Sequence, residues 1–163
     1  MSTRVSLLLV SALAAAASSA MLSQAAAAAS PQTTKLLEID TSFTGTGGFN
    51  IKGKAPPAAR QGVLIGGKLY DLNGGKQGPL AGALHITCTF TNGAGADICI
   101  AVASLAAGKL VASGRIPGNT NKPFSIPFLG GSGAYAGAKG HVLVTPIGGP
   151  NSNKAYNTIV ITG

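Results

Sequence analysis

Residues 84–95 read Leu-His-Ile-Thr-Cys-Thr-Phe-Thr-Asn-Gly-Ala-Gly, and this stretch carries the clearest indication of the fold. Its first eight residues alternate between an apolar and a polar face, as the side chains of a half-buried β-strand do. The apolar face consists of Leu84, Ile86, Cys88 and Phe90. Asn92 and the glycines after it tolerate the positive φ angles of a tight turn. The stretch therefore predicts a β-hairpin with one apolar face.

The chain has two cysteines, and both lie on this hairpin. If Gly93-Ala94 is a two-residue loop, Cys88 lies directly opposite Cys99, with Cβ atoms roughly 4.5–5.5 Å apart. In a secreted chain, an even number of cysteines at close range favours one disulfide, and two buried free thiols are the alternative. Because the loop that it closes is short, we expect the bridge to contribute about 2–3 kcal/mol of stability.

The pattern of the hairpin continues along the chain. All 24 glycines lie at Gly45 or beyond and separate short β-branched runs, which is typical of a β-sandwich or β-barrel. No stretch after Pro31 shows a long 3.6-residue period, so we expect no substantial helix. The segment 45–60 is predicted to be a loop, with at most a short edge strand at 49–52. Eight strands are predicted, at 36–43, 61–71, 82–91, 97–105, 109–116, 123–129, 138–147 and 155–162.

The N-terminus has the composition of a secretory signal. Arg4 gives a basic start, residues 5–17 are apolar and rich in Leu and Ala, and small residues lead to Ala29. A membrane anchor is the alternative, but the Leu-rich part is too short to span a bilayer. We predict a signal peptide over residues 1–29, with cleavage after Ala29 or Ala20. A single secreted, extracellular domain then occupies residues 30–163.

The charge of the chain is strongly positive, with 12 Lys and Arg residues against 4 Asp and Glu. Attraction to an anionic partner such as an acidic cell-wall polymer is one interpretation, and solubility is the other. The lysines are scattered singly, without a basic run, and Trp is absent. These features argue against a nucleic-acid partner, which is usually bound through basic clusters and stacking aromatics. No stable membrane insertion is expected.

The second half of the chain carries a specific order of motifs over residues 105–147. Gly114-Arg115 ends one predicted strand, an apolar strand follows, and residues 130–135, Gly-Gly-Ser-Gly-Ala-Tyr, turn the chain into the next strand. This order resembles that of the allene oxide cyclase and dirigent families. The resemblance implies an all-β fold, an eight-stranded antiparallel barrel that is often trimeric, with a mostly apolar pocket and no cofactor.

The two families suggest related functions. Allene oxide cyclases are isomerases that act on an unsaturated fatty-acid epoxide, and dirigent proteins are secreted and steer the coupling or cyclisation of phenolic intermediates. The predicted signal and disulfide fit the dirigent side. Our first hypothesis is a secreted barrel that binds a small apolar or phenolic molecule and guides its cyclisation or coupling, as a cofactor-free isomerase-like or dirigent-type protein. The alternative is a non-catalytic extracellular domain whose barrel is filled by its own side chains.

Four residues are candidates for the site. By resemblance, Arg115 stands where dirigent proteins place a pocket arginine, which would hold a carboxylate or an oxyanion. Tyr70 and Asp71 end a strand and are predicted at the barrel mouth, on the same end as Arg115, where an apolar setting would raise the pKa of Asp71. Tyr135 is predicted to touch the ligand. In the alternative interpretation, Arg115 lies on the surface at a strand end, Asp71 forms a turn, and Tyr135 packs over its hairpin.

Other combinations of polar residues point to weaker hypotheses. Glu38 and Asp40 share a face of the first strand, so they form either a proton-shuttling pair or a solvated face. His85 and His141 lack the spacing of a zinc site and any nucleophile elbow, so neither a metal site nor a hydrolase is predicted. The glycines at 131–137 precede a strand rather than a helix, which argues against a dinucleotide site.

Overall fold

The computed structural model describes residues 31–53, 56–91, 97–117, 122–149 and 152–163. Across these residues the chain forms strands, turns and loops, with no helix. None of the described segments could cross a membrane as a helix. The strands are β1 Gln32–Thr46, β2 Gly62–Asn73, β3 Lys76–Phe90, β4 Asp97–Leu105, β5 Gly108–Ile116, β6 Phe124–Gly133, β7 Gly140–Ile147 and β8 Lys154–Ile161.

The eight strands close into one antiparallel barrel. Each strand pairs with the next in sequence, and β8 pairs with β1 along Gln32–Ile39. Closure leaves no strand with an unpaired edge, which removes the tendency of open sheets to pair with other chains. The predicted fold, an eight-stranded antiparallel β-barrel, is confirmed.

Several strand boundaries and one short strand differ from the prediction. β3 begins at Lys76 rather than at Gly82, because Asn73 pairs with Lys76 across a two-residue turn. Gly74 and Gly75 form that turn with φ angles of 58° and 79°, the left-handed conformation that such hairpins require. β1 is longer than predicted at both ends, and the edge strand predicted at 49–52 is a turn.

The predicted disulfide is confirmed. Cys88 pairs directly with Cys99 across β3 and β4, with a Cα–Cα distance of 4.0 Å, and the two sulfur atoms are bonded. Both side chains are buried. The loop predicted at Gly93-Ala94 lies outside the described residues. Beside the bridge, the buried Phe90 packs edge-on against Phe49 with 5.0 Å between the ring centroids.

The core of the barrel is a cluster of inward-facing aliphatic side chains. Larger side chains from β1, β2, β3, β5 and β8 meet here, and Ala138 joins them from the turn before β7. The cluster consists of Leu36, Leu69, Leu84, Leu110, Ala138 and Ile159. All of these except Ala138 also line the cavity described below and form its apolar floor.

Candidate functional site

The barrel encloses a cavity of about 320 Å³. An eight-stranded barrel is just wide enough for side chains to fill it or for one small ligand, so the size of the inward residues decides which occurs. Here four inward positions on β4, β5 and β8 carry only a methyl group, and these are Ala101, Ala103, Ala112 and Ala155. Their small side chains leave the space open above the aliphatic floor. Phe124 and Phe128 contribute aromatic surface to the wall.

Two carboxyl groups lie on the wall of this apolar cavity. Glu38 and Asp40 stand two residues apart on β1, so both side chains face inward, and together they are half of the acidic residues in the chain. Glu38 is only 6% exposed, and Asp40 is half-buried. The interpretation of this pair as a solvated face is therefore wrong, since the pair lies inside the barrel.

A β-bulge fixes the backbone at Asp40. Asp40 pairs with Gly67 whereas Ser42 pairs with Gly66, so Thr41 is the extra residue of the bulge. Thr41 Oγ1 donates a 3.0 Å hydrogen bond to the carbonyl oxygen of Gly66. On the other side, Asn153 Nδ2 donates to the carbonyl oxygen of Asp40 at 2.7 Å, and the Asp40 amide donates to the Asn153 carbonyl oxygen at 2.8 Å. Bulges of this kind re-aim side chains next to functional sites.

Gly67 makes room for the Asp40 carboxylate. A Cβ atom at Gly67 would lie 3.1 Å from Asp40 Oδ1, which is closer than ordinary van der Waals contact. Asp40 Oδ1 is buried and has no hydrogen-bond partner among the described residues. Glycine at this position therefore lets the carboxylate sit against the strand that faces it.

Asn157 links the carboxyl pair to β8. Its Nδ2 donates a 2.6 Å hydrogen bond to Glu38 Oε2, and the residue is 6% exposed. Its Oδ1 atom is buried without a hydrogen-bond partner in the described structure. Two acceptor oxygens, Asp40 Oδ1 and Asn157 Oδ1, are thus buried within the cavity wall with unused hydrogen-bonding capacity.

The environment shifts the titration of both carboxyls. Burial, with a further contribution from the charge of Asp40, raises the pKa of Glu38 to about 8, and the hydrogen bond from Asn157 opposes this shift. Burial also raises the pKa of Asp40, although a hydrogen bond with Glu38 acts in the opposite direction. The hydrogen bond between the two carboxyls raises the pKa of Glu38 and lowers that of Asp40, so Glu38 holds the shared proton more firmly and Asp40 is the acceptor. An acid and a base stand side by side in an apolar cavity.

Arg115 does not line the cavity. On β5 the cavity-lining residues are Leu110, Ala112 and Ile116, so the alternation of the strand turns Arg115 to the outer face, where it is exposed. The location predicted for Arg115 is thus corrected. A role for Arg115 in binding stays a prediction, but it would have to be exercised outside the cavity.

Asp71 and Tyr70 are also outside the cavity lining, and Asp71 is exposed. Arg115 and Asp71 do not share an end of the barrel. β2 and β5 run in opposite directions because neighbouring strands alternate, so their last residues lie at opposite ends. The predicted meeting of these two residues at one mouth is corrected by this topology.

Tyr135 lies at the end of the barrel where β6 turns towards β7. It packs against the aliphatic core cluster and borders a separate pocket beside Gln32, Ala138 and Gly163. The cavity with the carboxyl pair does not include it. Packing accounts for the position of this side chain, and its contact with a ligand stays a prediction.

Three polar residues of the cavity lining, Ser152, Lys154 and Asn157, were not among the predicted site residues. Asn157 lies on the same face of β8 as Ala155 and Ile159, and a buried amide on an otherwise apolar face was the signal that could have revealed it. Lys154 stands at the rim and is exposed. Within the described residues, no group of three or more His, Cys, Asp or Glu side chains is placed to hold a metal ion.

Comparisons with known proteins identify the fold. No protein-family profile matches the sequence, and no curated protein matches it. The barrel is similar to the solved structure of pyocyanin demethylase, with 23% identity, a TM-score of 0.62, and coverage of 79% of this chain and 99% of that one.

Two further structures point the same way. A pterocarpan synthase dirigent protein has 13% identity and a TM-score of 0.64, over 83% of this chain and 95% of its own. An exo-specific intermolecular Diels-Alderase has 18% identity and a TM-score of 0.57, over 80% and 98%. At such identities the similarity establishes the fold. The chain thus folds as an eight-stranded antiparallel β-barrel that is similar to the barrels of a dirigent protein and a Diels-Alderase.

Proposed function

We propose that this protein binds one small, largely apolar or phenolic molecule inside the barrel and guides its cyclisation through proton transfer by Glu38 and Asp40. The observation that carries this proposal is the pair of carboxyls on the wall of an otherwise apolar cavity. Apolar lining with a few placed polar groups is the usual composition of a small-molecule site. A carboxyl pair with unequal protonation is the usual composition of an acid–base catalyst.

The proposed chemistry needs no cofactor. The Asp40 carboxylate accepts a proton from one atom of the substrate, while protonated Glu38 gives its proton to another atom of the same molecule. The electron pair left behind by the first proton forms the new ring bond to an electrophilic carbon, and a π bond at that carbon breaks so that its electron pair takes up the proton from Glu38. The hydrogen bond between the two carboxyls then returns the proton from Asp40 to Glu38. The net result is an isomerisation in which nothing is oxidised or reduced.

The barrel supplies two further effects. Its aliphatic floor and aromatic wall exclude water, so the charge of Asp40 acts in a medium of low dielectric constant, where its effect on a bound molecule is stronger. The confined space also restricts the conformations of a flexible substrate, which favours ring closure. The similarity to a pterocarpan synthase dirigent protein and to a Diels-Alderase supports a barrel of this kind.

The alternative, a barrel filled by its own side chains that acts through its surface, is less well supported. It would require large inward residues on β4 and β5, and these strands present Ala101, Ala103 and Ala112 instead.

We also propose that the protein is secreted. The signal predicted over residues 1–29 lies outside the described residues, and the support comes from the disulfide, which persists in oxidising compartments. N-terminal sequencing of the exported protein should find Ser30 or Met21 as the first residue. An intact Met1 would contradict the proposal.

A cavity-filling variant tests the binding proposal. Ala103→Leu places a larger side chain in the cavity, whereas Val102→Leu changes the neighbouring residue on the outer face of the same strand. Native mass spectrometry after incubation with an extract of apolar and phenolic small molecules should show a bound species for the wild type and for Val102→Leu. The Ala103→Leu variant should lose it. Equal capture by all three proteins would place binding outside the cavity and contradict the proposal.

A second variant tests the chemistry. Glu38→Gln retains the shape and the hydrogen-bonding capacity of the side chain but cannot supply a proton. It should capture the same molecule while slowing its conversion by about 100-fold or more, the contribution expected of a general acid. Unchanged conversion by Glu38→Gln would contradict the assignment of Glu38.

A further inference from the structure

The polar groups of the cavity are unbalanced towards hydrogen-bond acceptors and negative charge. Besides Ser152 and Lys154, the polar residues of the lining are Glu38, Asp40 and Asn157. The amide hydrogens of Asn157 are directed in part to Glu38, while its Oδ1 atom and Asp40 Oδ1 accept no hydrogen bond from the described residues. Around the two carboxyls the wall is therefore richer in acceptors than in donors, and a ligand that brings a donor would balance it.

Among the described residues, no positive charge faces this acceptor set from inside the barrel. Of the described residues that line the cavity, the one cation is Lys154, and it stands exposed at the rim. Arg115, the arginine expected at the pocket from the resemblance, is on the outer face. The carboxylate of Asp40 thus lies partly buried in an apolar space, and a buried charge is costly unless it is paired.

From this arrangement we propose that the ligand is an organic cation, with an apolar or phenolic body and one positively charged nitrogen, as in a protonated amine or a cationic nitrogen heterocycle. The inference rests on the proposed function for the location of the site and narrows the class of ligand. The nitrogen would lie against the Asp40 carboxyl group on the cavity wall, and the body would fill the space above the aliphatic floor.

The same arrangement disfavours anionic ligands. A carboxylate in the cavity would face the charge of Asp40 without a buried arginine or lysine to hold it. Repulsion between like charges is strong where water is excluded. A fatty-acid anion, the kind of ligand that a resemblance to allene oxide cyclases suggests, is therefore excluded by the charge of the wall.

Three matched probes separate charge from shape. 2-Naphthylmethylamine is a cation at pH 7, 2-naphthalenemethanol is neutral, and 2-naphthoate is an anion, while the aromatic body is the same. Isothermal titration calorimetry at low salt should show the ammonium binding about tenfold or more tightly than the alcohol, a difference of about 1.4 kcal/mol. The naphthoate should bind more weakly than the alcohol.

Two charge variants locate the source of the preference. Asp40→Asn should bring the ammonium and the alcohol to within about threefold of each other. Lys154→Met removes the cation at the rim and should strengthen binding of the ammonium relative to the alcohol. A cation preference that persists in Asp40→Asn would arise elsewhere and overturn the inference.

The outcomes also distinguish the inference from the proposed function. If the alcohol binds at least as tightly as the ammonium, and Ala103→Leu abolishes its binding, the cavity is the binding site and the cation inference is overturned. If none of the three probes binds to the wild-type protein, both proposals fail.

Discussion

Asn157 Nδ2 donates a 2.6 Å hydrogen bond to Glu38 Oε2 and so joins β8 to β1 inside the barrel, across 119 residues of sequence. Both residues are almost completely buried. The bond fixes the Glu38 carboxyl on the cavity wall, next to Asp40, in a place where an ionised carboxylate would be poorly solvated. The buried carboxyl pair held by this bond should determine how stability depends on pH and how Asp40 responds to changes at Gly67.

The buried Glu38 should make the protein less stable as the pH rises. Its pKa increases from an ordinary value of 4.5 to about 8 on folding, so between these values the unfolded chain has released a proton that the folded protein retains. The contribution of Glu38 is therefore fully present below pH 4.5 and is lost as the pH approaches 8. The raised pKa of Asp40 acts in the same direction. Glu38→Gln should gain stability relative to the wild type over this interval.

Urea unfolding of the wild type and of Glu38→Gln at pH 4, 6 and 8 measures this effect. Between pH 4 and pH 8, the free energy of unfolding of Glu38→Gln should rise relative to that of the wild type by up to roughly 4 kcal/mol. This follows because a pKa shift of one unit corresponds to about 1.4 kcal/mol. Comparing the two proteins removes the pH dependence of groups that do not interact with Glu38, whereas Asp40, its hydrogen-bonded neighbour, contributes to the measured difference. A constant difference across the three pH values would show that Glu38 ionises as a solvent-exposed carboxyl does.

Gly67→Ala should disturb Asp40 specifically. The new methyl group would lie 3.1 Å from Asp40 Oδ1, so the carboxylate must move by a few tenths of an ångström. Gly66→Ala is the matched control, because its methyl group meets the hydroxyl of Ser42 on the same pair of strands but does not reach Asp40. Carboxyl ¹³C NMR should show a displaced Asp40 resonance in Gly67→Ala and an unchanged one in Gly66→Ala. The same spectrum in both variants would mean that Gly67 has no positioning role.

The fold could be predicted from the sequence because its signals are local. Alternation at residues 84–91 and the glycine-rich turns specify strands and hairpins, and the pairing of Cys88 with Cys99 follows from hairpin register alone. The ends of strands were less predictable where two glycines form a two-residue turn, because such a turn lets the strands on either side pair up to the turn itself. For β3, the strand extends back to Lys76 because Gly74 and Gly75 accept positive φ angles.

The site was harder to predict because it depends on closure of the barrel. Glu38 and Asn157 are far apart in sequence and meet only when β8 pairs with β1. The alternation of β1 placed Glu38 and Asp40 on one face, but which face is inside depends on the whole barrel. For Arg115, the motif indicated the strand end correctly, while the inward positions of Ala112 and Ile116 direct its side chain outward. Asp71 lies at the opposite end from Arg115 because β2 and β5 run in opposite directions in the closed barrel.

Removing the disulfide should destabilise the barrel without closing the cavity. The bridge joins neighbouring strands and is not among the cavity-lining residues. The double variant Cys88→Ala, Cys99→Ala should lower the free energy of unfolding by about 2–3 kcal/mol, the value expected for a short loop. Urea unfolding of the oxidised wild type and of the variant measures the loss. A stability equal to that of the wild type would contradict the contribution assigned to the bridge.

The most direct test of the account is a crystal structure of the protein with 2-naphthylmethylamine bound. Our account predicts the aromatic rings between Ala103 and the floor formed by Leu36 and Leu69, with the nitrogen within hydrogen-bonding distance of the Asp40 carboxylate. A probe bound on the outer wall beside Arg115, with the cavity unoccupied, would contradict the assignment of the interior carboxyl pair as the functional site.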